Sequence, residues 1–174
     1  MRVRERSNTR IVESANARSR ILSEARGLES VRTDEELIAT IIRHSFHPTQ
    51  SAFLTRRESS FQLGVLTYGR ARGTPAHTHP EVRRIIVKPQ EFVMVMRGKI
   101  RVNFFDSAQR FVGSRILSKD DCVLFRSGGR GWKAIEPSVL IEVKQGPFLG
   151  ESDKIVITKP SILERPGGPR RSLS

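Results

Sequence analysis

EFVMVMRGKIRVNFF, residues 91–105, decides the fold of this chain. Its second half alternates, with Ile100, Val102 and Phe104 set between Arg101 and Asn103, the mark of a strand with one buried face. Its first half, Phe92 to Met96, is apolar on both faces, as in a strand that packs inward and is also covered outside. Arg97-Gly98-Lys99 supplies the turn between them.

The same signals recur outward from this hairpin. Phe61–Tyr68, Arg84–Val87, Phe111–Leu117, Asp121–Arg126, Trp132–Glu136, Ser138–Lys144 and Lys154–Thr158 are short runs rich in Val, Ile and Phe, bounded by Gly, Pro, Asp and Ser. Short strands joined by tight turns, with no helix between them, predict an all-β sandwich or barrel. Upstream, Thr33-Asp34-Glu35-Glu36 has the form of a capping box, and Leu37, Ile38, Ile41 and Ile42 then fall on one helical face. This predicts a short N-terminal helix over 34–45, with His44 and His47 near its end before Pro48. Residues 1–32 read as a flexible arm, helical in part over Ile11–Leu28. Residues 159–174 read as a disordered basic tail, and 33–158 as one domain.

Composition bounds the function. Among 174 residues, 31 Lys and Arg against 18 Asp and Glu give a net charge of +13. The arginines are scattered and aromatic residues make up only 6%, so stacking platforms for nucleic acid are scarce, and a basic surface that attracts small anions is the expectation. A lone Cys122, expected as a small buried residue, excludes a disulfide scaffold. No apolar run suits a membrane span or a signal peptide, which predicts a cytoplasmic protein without a membrane partner.

Two of the four histidines, His77 and His79, sit one residue apart in a strand-like stretch, so period two aims both rings at one face. Such a pair either shares a metal ion or works as an acid–base couple. Glu91 follows, and Gly98 completes Glu-x6-Gly. Tyr68 is either barrel packing or a proton-transfer partner, and Trp132 packing or pocket lining.

On these residues the chain resembles the cupin superfamily, whose first motif joins His-x-His to Glu-x6-Gly. Residues 33–158 are most similar to the small WbuC-like cupins of bacterial surface-polysaccharide pathways. The matching segments include Glu35-Glu36-Leu37-Ile38, Gly98-Lys99-Ile100-Arg101-Val102 and Ile141-Glu142-Val143-Lys144-Gln145-Gly146-Pro147-Phe148. The resemblance implies a cupin jelly roll, a double-stranded β-helix barrel. It also implies a divalent metal (Fe, Mn or Zn) on His77, His79 and Glu91.

Arg130 stands where such proteins carry a further histidine, and arginine does not ligate. Either the metal site is built for an anionic substrate, or the pocket is metal-free and Arg130 clamps a carboxylate or phosphate. Arg72-Gly73 ahead of His77 is similar to the Arg-Gly turn of metal-independent sugar-nucleotide ketoisomerases. That implies an isomerase or epimerase of carbohydrate biosynthesis, with His77, His79 and Tyr68 catalytic and Arg130, Arg72 and Trp132 on the ligand. The alternative is a non-catalytic cupin that binds a ligand or metal and regulates a partner. The doubly apolar strand implies a homodimer.

Overall fold

The computed structural model describes residues 26–158 and 161–162. Eleven strands are present among them: β1 (Leu28–Arg32), β2 (Leu37–Ile42), β3 (Ala52–Phe53), β4 (Gly64–Val65), β5 (Glu91–Arg97), β6 (Lys99–Phe105), β7 (Arg110–Ser118), β8 (Cys122–Phe125), β9 (Gly129–Ala134), β10 (Val139–Lys144) and β11 (Ser161–Ile162). They form a five-stranded sheet, β1-β2-β8-β5-β10, a four-stranded sheet, β11-β7-β6-β9, and the small β3–β4 ladder. All pairings are antiparallel except β11 on β7. The all-β expectation holds in this form: two antiparallel sheets, with no closed barrel among the described residues.

The quoted hairpin joins the two sheets. β5 lies in the five-stranded sheet and β6 in the four-stranded one, and Gly98 turns the chain between them at φ +83°. A Cβ there would strike the Pro137 carbonyl and Ser138, so only glycine fits this left-handed turn. Val93, Val95, Val123, Phe125, Ala39 and Ile41 then meet Ile100, Val102, Phe104 and Leu117 in one core between the sheets. Each fully buried aliphatic or aromatic side chain of this layer contributes about 1.5–3 kcal/mol.

The predicted helix over 34–45 is not formed, and Leu37–Ile42 is strand β2, a correction with a clear cause. Four successive residues, Ile38 to Ile41, are buried, as happens in an inner strand covered on both faces. Thr33 Oγ1 does accept from the Glu36 N–H at 3.2 Å, but that bond closes the β1–β2 turn instead of capping a helix. The Glu36 carboxylate reaches the N–H and hydroxyl of Ser107, at 2.7 and 2.8 Å.

The arm expected through residue 32 ends sooner, because Leu28–Arg32 is strand β1. Residues 1–25, with most of the expected arm helix, lie outside the described residues, as does the tail apart from Ser161–Ile162. Of the run Phe61–Tyr68 only Gly64–Val65 is strand, and neither Arg84–Val87 nor Lys154–Thr158 pairs. The other predicted strands stand within three residues of their expected bounds.

Candidate functional site at the open rim of the sandwich

The two sheets share two rims, and they differ. At the β1/β7 rim, Glu29 of β1 takes Arg115 of β7 at 3.1 Å and Arg43 at 2.6 Å. Arg43 also donates to the Ile116 carbonyl at 2.6 Å and to Asp121 at 2.9 Å. The second Asp121 oxygen accepts from the His44 N–H at 2.9 Å, while the first also takes the Ser118 N–H at 3.0 Å. Burial pushes the Asp121 carboxyl up, but the donors from Ser118, His44 and Arg43 outweigh it and hold the group below the usual carboxylate value. The charged side chains of this rim are paired across it, although β1 is itself an edge strand bonded only to β2.

The β9/β10 rim is open. Both are edge strands, β9 bonded only to β6 and β10 only to β5. By alternation from the core residue Val102, the inward positions of β9 are Arg130, Trp132 and Ala134. By the same count from Val95 and Val93, those of β10 are Leu140, Glu142 and Lys144. Trp132 stacks on Phe125 of the opposite sheet, with centroids 6.0 Å apart and planes 16° apart, and the Arg130 guanidinium lies 5.3 Å from the same Phe125 ring. Arg130 pairs with Glu91 across the sheets, the β9/β10 rim's only salt bridge between them among the described residues.

Glu91 is 5% exposed at its side chain and Arg130 31%, so the carboxylate is buried while its guanidinium reaches outward. One Glu91 oxygen, Oε1, is buried without a partner, and so are Gln90 Oε1 and Gln145 Nε2. Beside this pair opens a cavity of about 220 Å³, lined by Glu91, Arg130, Ile86, Lys144, Leu149 and Lys154 among others. Lys144 is also held by Asp153 at 3.4 Å.

The sequence-predicted residues divide into two groups. Glu91, Arg130 and Trp132 come together at this rim. His77, His79, Tyr68 and Arg72 do not: they lie exposed in residues 66–90, which form no regular structure, so the expected strand is absent there. The histidine rings remain neighbours, with centroids 5.0 Å apart and planes 77° apart, and His77 Nδ1 lies 2.8 Å from the Pro75 carbonyl. Tyr68 pairs with Thr74 at 2.5 Å.

The metal set of His77, His79 and Glu91 is not assembled. Among the described residues no three His, Cys, Asp or Glu side chains stand close enough to hold an ion. The missing element is the strand that was to carry the imidazoles to Glu91.

Lys144, Lys154, Gln90 and Gln145 escaped the sequence reading. Lys144 was within reach of it, because its even-numbered position in β10 shares a face with Leu140. Comparison with protein-family models, with curated proteins and with solved structures finds no match.

Proposed function

We propose that this chain is a small-molecule-binding protein of cupin jelly-roll type, and that it takes an anionic ligand at the open β9/β10 rim. The carrying observation is Arg130, held across the sheets by Glu91 with part of its guanidinium exposed beside the cavity. Glu91 fixes the fork in place, and a planar guanidinium matches a carboxylate or phosphate bidentately. Lys144 and Lys154 add positive charge to the same walls, and three cations against Glu91 and Asp153 leave the lining net positive. At about 220 Å³ the cavity lies below the range for drug-sized ligands, which favours a sugar phosphate or a small carboxylate. The pairing of β10-β5-β8 in one sheet with β9-β6-β7 in the other supports the jelly-roll reading.

A thermal-shift screen of sugar phosphates, nucleotide sugars and small carboxylates tests this. The parent protein gains stability with at least one of them, and Arg130→Met loses that gain. An unchanged gain in the variant overturns the assignment.

A second reading, sugar isomerisation or epimerisation, has one observation in its favour. His77 Nδ1 lies against the Pro75 carbonyl, which only accepts, so Nδ1–H donates there, and it is Nε2 that would serve as the general base. In that reading His79, 5.0 Å away between ring centroids, is the acid. Turnover of nucleotide sugars that is abolished in both His77→Ala and His79→Ala favours it; parental turnover in both removes it.

A further inference from the structure

Val82, Ile85, Ile86 and Val87 are 60%, 79%, 38% and 85% exposed, four strand-forming residues in a stretch that also carries Arg83 and Arg84 and has no partner strand. On the rim opposite the ion-paired one, the free edge of β9 presents an unpaired backbone ladder, with Trp132 38% exposed on its inner side. We propose that Val82–Val87 adds as a strand, antiparallel to β9, and closes the open rim as a strap.

The topology selects this edge. β9 begins at the Glu91 end of the sandwich, because Arg130 pairs with Glu91, and β10 finishes there, because Lys144 opposes Glu91. A strand antiparallel to β9 therefore finishes at the Glu91 end, where β5 starts. Lys88, Pro89 and Gln90 then cross from one sheet to the other, and three residues reach about 10 Å, the spacing of packed sheets. A strand antiparallel to β10 would finish at the far end, leaving the same three residues to return along about 20 Å of strand, which they cannot do.

Length and pattern agree with the choice. Val82–Val87 has six residues, as β9 does. Ile86 lines the same cavity as Arg130, and the strap register that places it opposite Arg130 puts Val82 opposite Ala134. Val82, Arg84 and Ile86 then face inward, with Arg84 beside Trp132 and facing the strand that carries the exposed Glu142. The strap covers the Arg130 side of the proposed anion site, but its test does not depend on whether that site binds an anion.

Disulfide trapping tests it, on a Cys122→Ser background. Val82→Cys with Ala134→Cys forms an intramolecular bond at least about tenfold faster than Val82→Cys with Ile141→Cys, since only paired positions hold Cα atoms within disulfide reach. Equal rates mean a loose segment without an edge preference and overturn the proposal. Failure to oxidise overturns it too, and so do bonds only between two molecules, which would assign the edge to a second copy. Hydrogen exchange on the parent chain is the check free of substitutions. The Val82–Val87 amides exchange about fivefold or more slowly than in an Ile85→Pro variant, and unprotected amides in the parent contradict the strap.

Discussion

Asp121 and Glu91 are both buried carboxylates paired with arginine, on opposite rims of one sandwich, yet they are finished differently. Both Asp121 oxygens take donors, from Arg43, Ser118 and His44. Glu91 has one oxygen on Arg130 and the other without a partner. An unmet buried acceptor costs about 1–3 kcal/mol, so a rim that serves only the fold has reason to resemble the first case. The contrast teaches that the β1/β7 rim satisfies its buried carboxylate within the fold, while the β9/β10 rim leaves one Glu91 acceptor unmet beside a partly exposed Arg130.

The sharpest way to break this contrast is at Asp121. Asp121→Ala strands the Ser118 and His44 N–H groups and one arm of Arg43, and costs about 3 kcal/mol in urea unfolding. Arg130→Met costs about 2 kcal/mol, because Glu91 is left buried and unpaired. Adding Glu91→Leu to Arg130→Met restores most of that loss, since a buried ion pair exchanged for apolar groups is often near neutral, whereas ligand binding stays lost. If the double variant stays as unstable as the single, the pair is structural and the two rims do not differ in kind.

Acid sharpens the comparison further. In the folded state Asp121 is held below its ordinary value of 3.8 and Glu29 below 4.5, in each case by donors that overcome the upward push of burial. Groups with depressed pKa values stabilise the fold above their unfolded values and lose that contribution as pH falls through the folded ones. The urea midpoint therefore falls from about pH 4 downward, and the fall is shallower in Asp121→Asn. The smallest expected effect is at Glu29, which is about one-third exposed: Glu29→Gln costs under about 1 kcal/mol.

Much of the fold was legible because the β5–β6 pattern is unambiguous: alternation in Ile100, Val102 and Phe104 and a glycine turn admit one reading. Leu37–Ile42 misled because apolar residues at i, i+1, i+4 and i+5 suit a helix face as well as a strand buried on both sides, and periodicity does not separate the two. The Thr33 signal was real but served a hairpin turn. At the site, Glu91 and Arg130 were named through the cupin-like spacing, and Trp132 as packing or pocket lining; alternation from the core residue Val102 explains why Arg130 and Trp132 share the inner face. His77 and His79 were expected on a strand, but residues 70–81 around them carry Gly, two Pro and mostly polar residues, and no alternation that would make one.

Trp132 is the only tryptophan and stacks on Phe125, the ring that the Arg130 guanidinium also faces, so its fluorescence reports on the rim. Titrating the protein with hexose monophosphates tests anion binding at Arg130 most directly. A saturable change is expected in the parent and in His77→Ala, and binding at least about tenfold weaker in Arg130→Met, a loss of about 1.4 kcal/mol. Equal affinity in Arg130→Met, or no saturable change with any such anion up to about 10 mM, contradicts it.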